Sequence, residues 1–272
     1  MKKFMAMLLA LVMTLSLAAC GKKADDTAKD DANVDDTTTP EITYAVEAGS
    51  AGEEVALANG FKTVSVNSQA DALMEVSSGT SDAAIIDLLM AGAMVGEGTS
   101  YPDLKVTDQK LNSELYGVGC RKGSDLASFI NSVMGEAYAD GTMQDLANTY
   151  GVQEALLEQS ASEFTASETD SDVKYIQDKG TLIVGITEFA PMDYKSADDE
   201  WIGFDADMAK LVAEKLGVEV QFIVIDWDMK VNELDSKNID AVWNGMTLTD
   251  GVKAAMECSN AYCENAQVVI TK

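Results

Sequence analysis

The chain has 272 residues, 47% hydrophobic and 24% charged, long enough for one large two-lobed domain or two small ones. Its 19 basic and 46 acidic residues give a formal charge of -27, a surface that repels phosphate backbones and argues against nucleic-acid partners. It contains no histidine, which removes the usual general base, the commonest metal ligand and every Ser-His or Cys-His nucleophile.

Lys2 and Lys3 precede an almost wholly apolar run from Phe4 to Ala19, the profile of a secretory signal over residues 1–20 and too short for a comfortable membrane span. Leu17-Ala18-Ala19-Cys20-Gly21 resembles the bacterial lipobox, which implies lipidation of Cys20 and an anchored, extracytoplasmic protein. The competing reading is a plain cleaved signal in which Cys20 is incidental. Residues 21–40 are Asp, Thr, Lys and Ala with Val34 the single branched aliphatic. They bury too little apolar area to offset chain entropy, so a disordered acidic tether is expected. Of the remaining cysteines, Cys120, Cys258 and Cys263, the last two are near enough to meet across a turn. An odd number without metal-like spacing equally suits free thiols.

The folded part alternates short apolar strands with amphipathic helices. Residues 43–46 read as a strand, and Ser50 as the cap of a helix over 51–58 with Glu53 and Glu54 in its first turn. A strand at 63–66 and a helix from about 69 to 78 follow. The apolar run 82–86 reads as a buried strand delivering Asp87 at its end. Residues 116–120 are strand-like, Ser124 caps a helix to about 139, and a shorter helix runs from Thr142 to near Tyr150. From 153 to 172 the composition drifts to Glu, Ser, Thr and Ala, read as a short helix and an exposed linker. Beyond it come a strand at 181–186, a helix at 204–216 with the stripe Phe204, Met208, Leu211, Val212 and Leu216, and a strand at 218–225. A helix at 229–237, a strand at 239–243, a short helix after Thr249-Asp250 and a strand at 266–271 complete the pattern. Strand-helix-strand in both blocks predicts an α/β fold with parallel-rich sheets flanked by helices, where ligands sit beyond the C-terminal strand ends.

Gly203-Phe204-Asp205-Ala206-Asp207-Met208, followed by Leu211-Val212-Ala213-Glu214-Lys215-Leu216, resembles the signature of polar amino-acid solute-binding proteins, the receptors of ABC importers. Residues 182–187 and Phe189-Ala190-Pro191 are similar to that family's opening strand and ligand loop, and 238–247 to its binding strand. Residues 46–52, 82–87 and 116–123 resemble its second half. The resemblance implies a two-lobed, type II periplasmic-binding-protein-like fold that captures a small zwitterionic amino acid and delivers it to a permease, as a monomer without cofactor, metal or enzymatic activity.

The order of the segments is reversed relative to the family, as in a circular permutation. Residues 41–115 would form lobe 2, joined by the strand at 266–272. Residues 116–150 and 173–265 would form lobe 1, with 151–172 joining the old ends. The competing account is a fusion of mismatched halves. By resemblance Asp87 meets the ligand's ammonium with the backbone at Asn244 and with Thr247, while Ser50 and Ala51 offer backbone donors to its carboxylate. Phe189, Trp243, Gly245 and Thr249 complete the candidate set. Each has a duller reading: Asp87 as a helix cap, the aromatics as core, the polar residues as turn formers. Glu188 and Asp193 read as solvated or substrate-selective. The family's carboxylate-binding arginine is absent, with Val252 in its place, and Lys253 is no equivalent. A dehydratase-like enzyme of the cyclohexadienyl or arogenate kind, or a remnant that binds nothing, are the alternatives.

Overall fold

Two α/β lobes are built on separate five-stranded sheets. The computed structural model describes residues 41–272. The signal, Cys20 and the tether lie outside the described residues. Among the described residues no helix is long and apolar enough to cross a membrane.

The front part of the chain forms β1 (Thr43–Glu47), α1 (Ala51–Ala58), β2 (Lys62–Val66), α2 (Gln69–Ser78), β3 (Ala83–Asp87), α3 (Leu88–Met94) and β4 (Lys105–Lys110). Then come β5 (Glu114–Tyr116), β6 (Gly119–Cys120), α4 (Leu126–Asp140) and α5 (Thr142–Tyr150). After an irregular stretch, α6 (Asp172–Lys179), β7 (Thr181–Ile186), β8 (Tyr194–Lys195), β9 (Trp201–Ile202), α7 (Phe204–Leu216) and β10 (Glu219–Val224) follow. The last elements are a 3-10 turn at Trp227–Met229, α8 (Lys230–Asp235), β11 (Ala241–Val242), α9 (Asp250–Ala255), β12 (Glu257–Cys258), β13 (Cys263–Asn265) and β14 (Gln267–Thr271).

The first sheet has the order β2-β1-β3-β14-β4. β1 runs parallel to β2 and β3. β14 is inserted antiparallel between β3 and β4, with Val268 opposite Ile86 and Ile270 opposite Ala84. Every residue of β3 is buried, as its unbroken apolar run requires of a strand covered on both faces. The second sheet has the order β10-β7-β11-β6-β12. Its β6 comes from the front of the chain and runs antiparallel to β11 and β12, and α4 and α5 pack against α7. Each sheet therefore draws strands from both ends of the sequence.

The chain passes between the sheets twice, through β5 and through β13. These pair antiparallel as a two-stranded ribbon, Cys263 opposite Tyr116 and Asn265 opposite Glu114. A single strand over 116–120 is not what forms. The run breaks at Gly117, whose N–H donates to Met246 O at 3.0 Å, because the backbone changes partners as it leaves the ribbon for the second sheet.

The stretch 153–171 holds no helix and is not simply exposed. Leu157 N–H donates to Tyr262 O at 2.8 Å, Gln159 is buried, and Phe164 meets the Phe129 ring edge-on at 5.1 Å. Gly135 lets this segment lie against α4, since a β-carbon there would stand 2.6 Å from Ser160 O. Cys120, Cys258 and Cys263 are free thiols.

Candidate functional site

The C-terminal ends of β1 and β3 and the start of β14 lie side by side in the first sheet, so Glu47, Asp87 and Gln267 gather at one edge. Gln267 sits directly opposite Asp87, and its side-chain amide donates to one Asp87 oxygen. Tyr116 O–H donates to the other at 2.6 Å. Asp87 precedes α3, but its side chain makes no capping bond; both oxygens face the junction instead. Gln267 Nε2 also donates to Glu114 Oε2 at 2.9 Å. Glu114 further accepts from Asn265 Nδ2 and Thr247 O–H, each at 3.0 Å, and from Asn112 Nδ2 at 2.7 Å.

Three carboxylates thus occupy a region with little water. Asp87 is 3% and Glu47 3% exposed. Burial first, then the charge of Asp87, pushes the Glu47 carboxyl up to about 8. Burial and the Glu114 charge push Asp87 up to about 7, because the charged form loses solvation and faces a like charge. The balancing cation is Lys230, whose ammonium donates to Gly49 O at 2.8 Å and Trp227 O at 3.1 Å.

From the second lobe, Asn244 Nδ2 donates to Thr187 Oγ1 at 2.7 Å. Thr187 ends up beside Glu47, where its hydroxyl favours the charged carboxylate. A cavity of about 460 Å³ opens between α1, the ribbon approach and the loop after β11, lined by Ala51, Glu54, Glu114, Thr247, Thr249 and Lys253 among others.

The candidate residues do not all converge. Asp87, Asn244 and Thr247 belong to the polar junction, and Ala51, Thr247 and Thr249 line the cavity. Ser50 Oγ accepts the Glu53 N–H at 3.1 Å, and Thr249 Oγ1 accepts the Val252 N–H at 3.2 Å, so both cap helices. Phe189 and Trp243 are 2% and 1% exposed and sit within the main core. Phe189 meets Tyr116 edge-on at 6.4 Å, and Trp243 tilts against Tyr262 at 6.4 Å. Gly245 has φ +56°, and a side chain there would run into the Phe189 ring; its N–H donates to Asp205 Oδ2 at 2.6 Å.

Asp193 departs from the solvated reading: it is 0% exposed. Neither of its oxygens has a partner among the described residues, and burial with the neighbouring Asp205 charge holds its carboxyl far above the usual range. The residues that sequence reasoning passed over are Glu47, Glu114, Tyr116, Lys230 and Gln267. Glu47, Glu114, Tyr116 and Gln267 share one local signal, a polar side chain at the end of a strand; Lys230, at the start of α8, has none.

Residues 182–272 match the profile of bacterial extracellular solute-binding proteins, family 3. An L-cystine-binding protein of Escherichia coli (strain K12) is 34% identical over 88 residues, 32% of this chain and 33% of that one. An arginine-binding extracellular protein of Bacillus subtilis (strain 168) is 33% identical over 95 residues, 35% and 37% of the two chains. Among solved structures, an ancestral cationic amino acid solute-binding protein is 36% identical with a TM-score of 0.30, covering 31% of this chain and 37% of that one. An ancestral cyclohexadienyl dehydratase is 32% identical with a TM-score of 0.31, covering 32% and 37%. The match thus spans about a third of the length of these curated relatives.

Proposed function

We propose that this chain is the substrate-binding component of an amino-acid ABC importer. On this reading it captures an amino acid or a related amine-bearing solute between its lobes and presents the closed form to a membrane permease, held at the extracytoplasmic membrane face by a lipid on Cys20. The observation that carries the reading is the junction of Asp87 and Gln267 at the strand ends of one lobe with Glu114 of the β5–β13 ribbon, faced by Thr247 and Asn244 of the other. Capture needs groups fixed on two bodies that move together, and the β5–β13 ribbon supplies a connection short enough to act as a hinge. Closure then follows the ligand's extra contacts with the closed state. The reading is capture and not turnover: both Asp87 oxygens are occupied by Tyr116 and Gln267, which suits a fixed electrostatic contact better than a proton shuttle.

The same reading treats the segment order as a circular permutation. Support comes from β14 pairing with β3, and β6 with β11, in sheets that neither half of the sequence completes alone. Ser50, Ala51, Asn244, Gly245, Thr247 and Thr249 then belong to or support the ligand cleft, with Phe189 and Trp243 as the packed wall beneath it.

Calorimetry of the folded protein against a panel of amino acids and simple amines tests the function. Saturable binding of at least one, lost on Asp87→Asn, is expected. No binding of any member by a protein with a cooperative melt overturns it.

A further inference from the structure

Gln267 stands between two poles of opposite sign. On one side its Nε2 donates to Asp87 and, at 2.9 Å, to Glu114 Oε2. On the other its Oε1 lies against the start of α1, where a β-carbon on Gly52 would stand 2.9 Å from it. Turning the amide around would aim its oxygen at two carboxylates, so the orientation is fixed by charge. Gln267 is 1% exposed, yet among the described residues its Oε1 has no donor.

The helix end is incomplete as well. Ser50 Oγ accepts the Glu53 N–H, and Glu53 Oε2 accepts the Gly49 N–H. The Ala51 and Gly52 N–H groups, which have no intrahelical partner, find no acceptor among the described residues. Free N–H groups at a helix start favour an anion, as buried carboxylates favour a cation at the other pole.

A carboxamide matches both poles only weakly. It gives the carboxylates a neutral donor, and its oxygen leaves the helix N–H groups unanswered. An ammonium and a carboxylate on one carbon present the same order of donor and acceptor with full charges, and charged hydrogen bonds are roughly twice as strong. The cavity of about 460 Å³ borders the two poles at Ala51 and Glu114, but its lining does not include Asp87. Gln267, bonded to both Glu114 and Asp87, closes that end.

Resting on the receptor reading above, we infer that the Gln267 carboxamide is a built-in plug. It holds the place of an amino acid's ammonium at Asp87 and of its carboxylate at α1, and a captured amino acid displaces it. Gln267 thereby sets the receptor's affinity, since every ligand must first break the protein's own bonds. It also favours solutes carrying both groups over solutes carrying one.

Calorimetry of the full chain and of Gln267→Ala with the standard amino acids tests this, at pH 8, above the value of about 7 to which Asp87 is raised. The amino acid that binds the unaltered chain most tightly binds Gln267→Ala about tenfold or more tighter, equivalent to about 1.4 kcal/mol. The amine with the same side chain but no carboxylate gains less, because it meets one pole only; an equal gain overturns the two-pole displacement. Should Gln267→Ala not fold, Gln267→Ser, shorter but still a donor to the carboxylates, carries the same comparison. Equal or weaker binding by the folded variant overturns the plug while the receptor reading stands. Binding by the variant alone supports the plug and overturns the receptor reading for the unaltered chain. If neither protein binds any amino acid, both fail.

Discussion

Lys230 Nζ lies 2.8 Å from the carbonyl oxygen of Gly49, so one ammonium ties the turn after β1 to the 3-10 turn of the opposite lobe. The contact is tight: a β-carbon on Gly49 would stand 2.6 Å from Asp228 Cα. Lys230 is 8% exposed, and burial holds its ammonium below the usual lysine range. Lys230→Met keeps the stem and removes the bond. A bond to a charged group contributes about 1.5–3 kcal/mol, so the open form gains population and the radius of gyration by small-angle scattering rises. An unchanged radius would show that packing around Trp227 and Gly49 holds the lobes together without the lysine.

Stability falls as pH rises through the neutral range. Glu47, Asp87 and Asp205 are raised from 4.5, 3.8 and 3.8 to about 8, 7 and 7. Between those limits the folded chain keeps protons that the unfolded chain has released, so unfolding becomes easier as pH increases. The stabilisation is complete below the unfolded values and gone above the folded ones. Asp125, held low by its hydrogen bonds to Ser171 and the Ser167 and Val173 backbone, acts only below its ordinary value of 3.8. The melting temperature at about pH 5 should exceed that at about pH 8 by at least about 2–4 °C, the shift that roughly 1 kcal/mol gives a domain this size. Glu47→Gln flattens the slope. A melting temperature that is constant or rises over that interval contradicts the burial argument.

Much of the fold was legible because it is written locally. Ser50 caps α1 and donor-acceptor geometry confirms it; the stripe of α7 faces the core, with Phe204, Met208, Val212 and Leu216 all buried. The small elements were not legible. β8, β9, β12 and β13 have two or three residues each, too few for any periodicity to show. The site was half legible for a different reason. Asp87 stood out as the polar end of an apolar run, but its partner Gln267 is 180 positions away. Only the insertion of β14 beside β3 brings them together, and no local pattern encodes that pairing. Phe189 and Trp243 illustrate the converse: an aromatic just beyond a strand has the same sequence signature whether it faces a cleft or a core.

Gly245 is a structural necessity of the loop after β11. Its φ of +56° falls where side chains are strained, and the Phe189 and Tyr116 rings close over it. Gly245→Ala combines backbone strain with overpacking, each costing about 1–3 kcal/mol, and disturbs the N–H bond to Asp205. The denaturant midpoint should drop accordingly with little change in slope. A loss under about 0.5 kcal/mol, the range of an ordinary surface substitution, would mean that the loop re-forms around the methyl group.

Ile270 tests the contribution of β14 to the first sheet. It is 0% exposed, flanked by Ala84 on β3 and Val106 on β4. Ile270→Ala removes a buried side chain at the centre of that sheet and should cost about 2–5 kcal/mol. Hydrogen exchange locates the effect: amides of β3 and β4 lose protection together, though they lie more than a hundred positions earlier in the chain. If protection falls only near the substitution, β14 adds little to the cohesion of the sheet.

The join between the two blocks is held by charge. Arg121, from the segment after β6, binds Asp172 at the start of α6 through Nε at 3.0 and 3.2 Å and through Nη2 at 3.0 Å, and Asp240 through Nη2 at 3.2 Å. Asp240 also accepts from Lys179 at 2.6 Å, and its side chain is 0% exposed. Arg121→Met leaves Asp172 buried without its counter-charge and Asp240 with Lys179 alone. Removing one partner of a buried pair costs about 3–5 kcal/mol, because the remaining charge has lost both water and its ion. The loss should be recovered in part by Asp172→Asn in the same chain, since an amide carries no charge to strand. Additive losses in the double variant would show that the two residues act independently and that the join is held by the packing of Phe164 on Phe129.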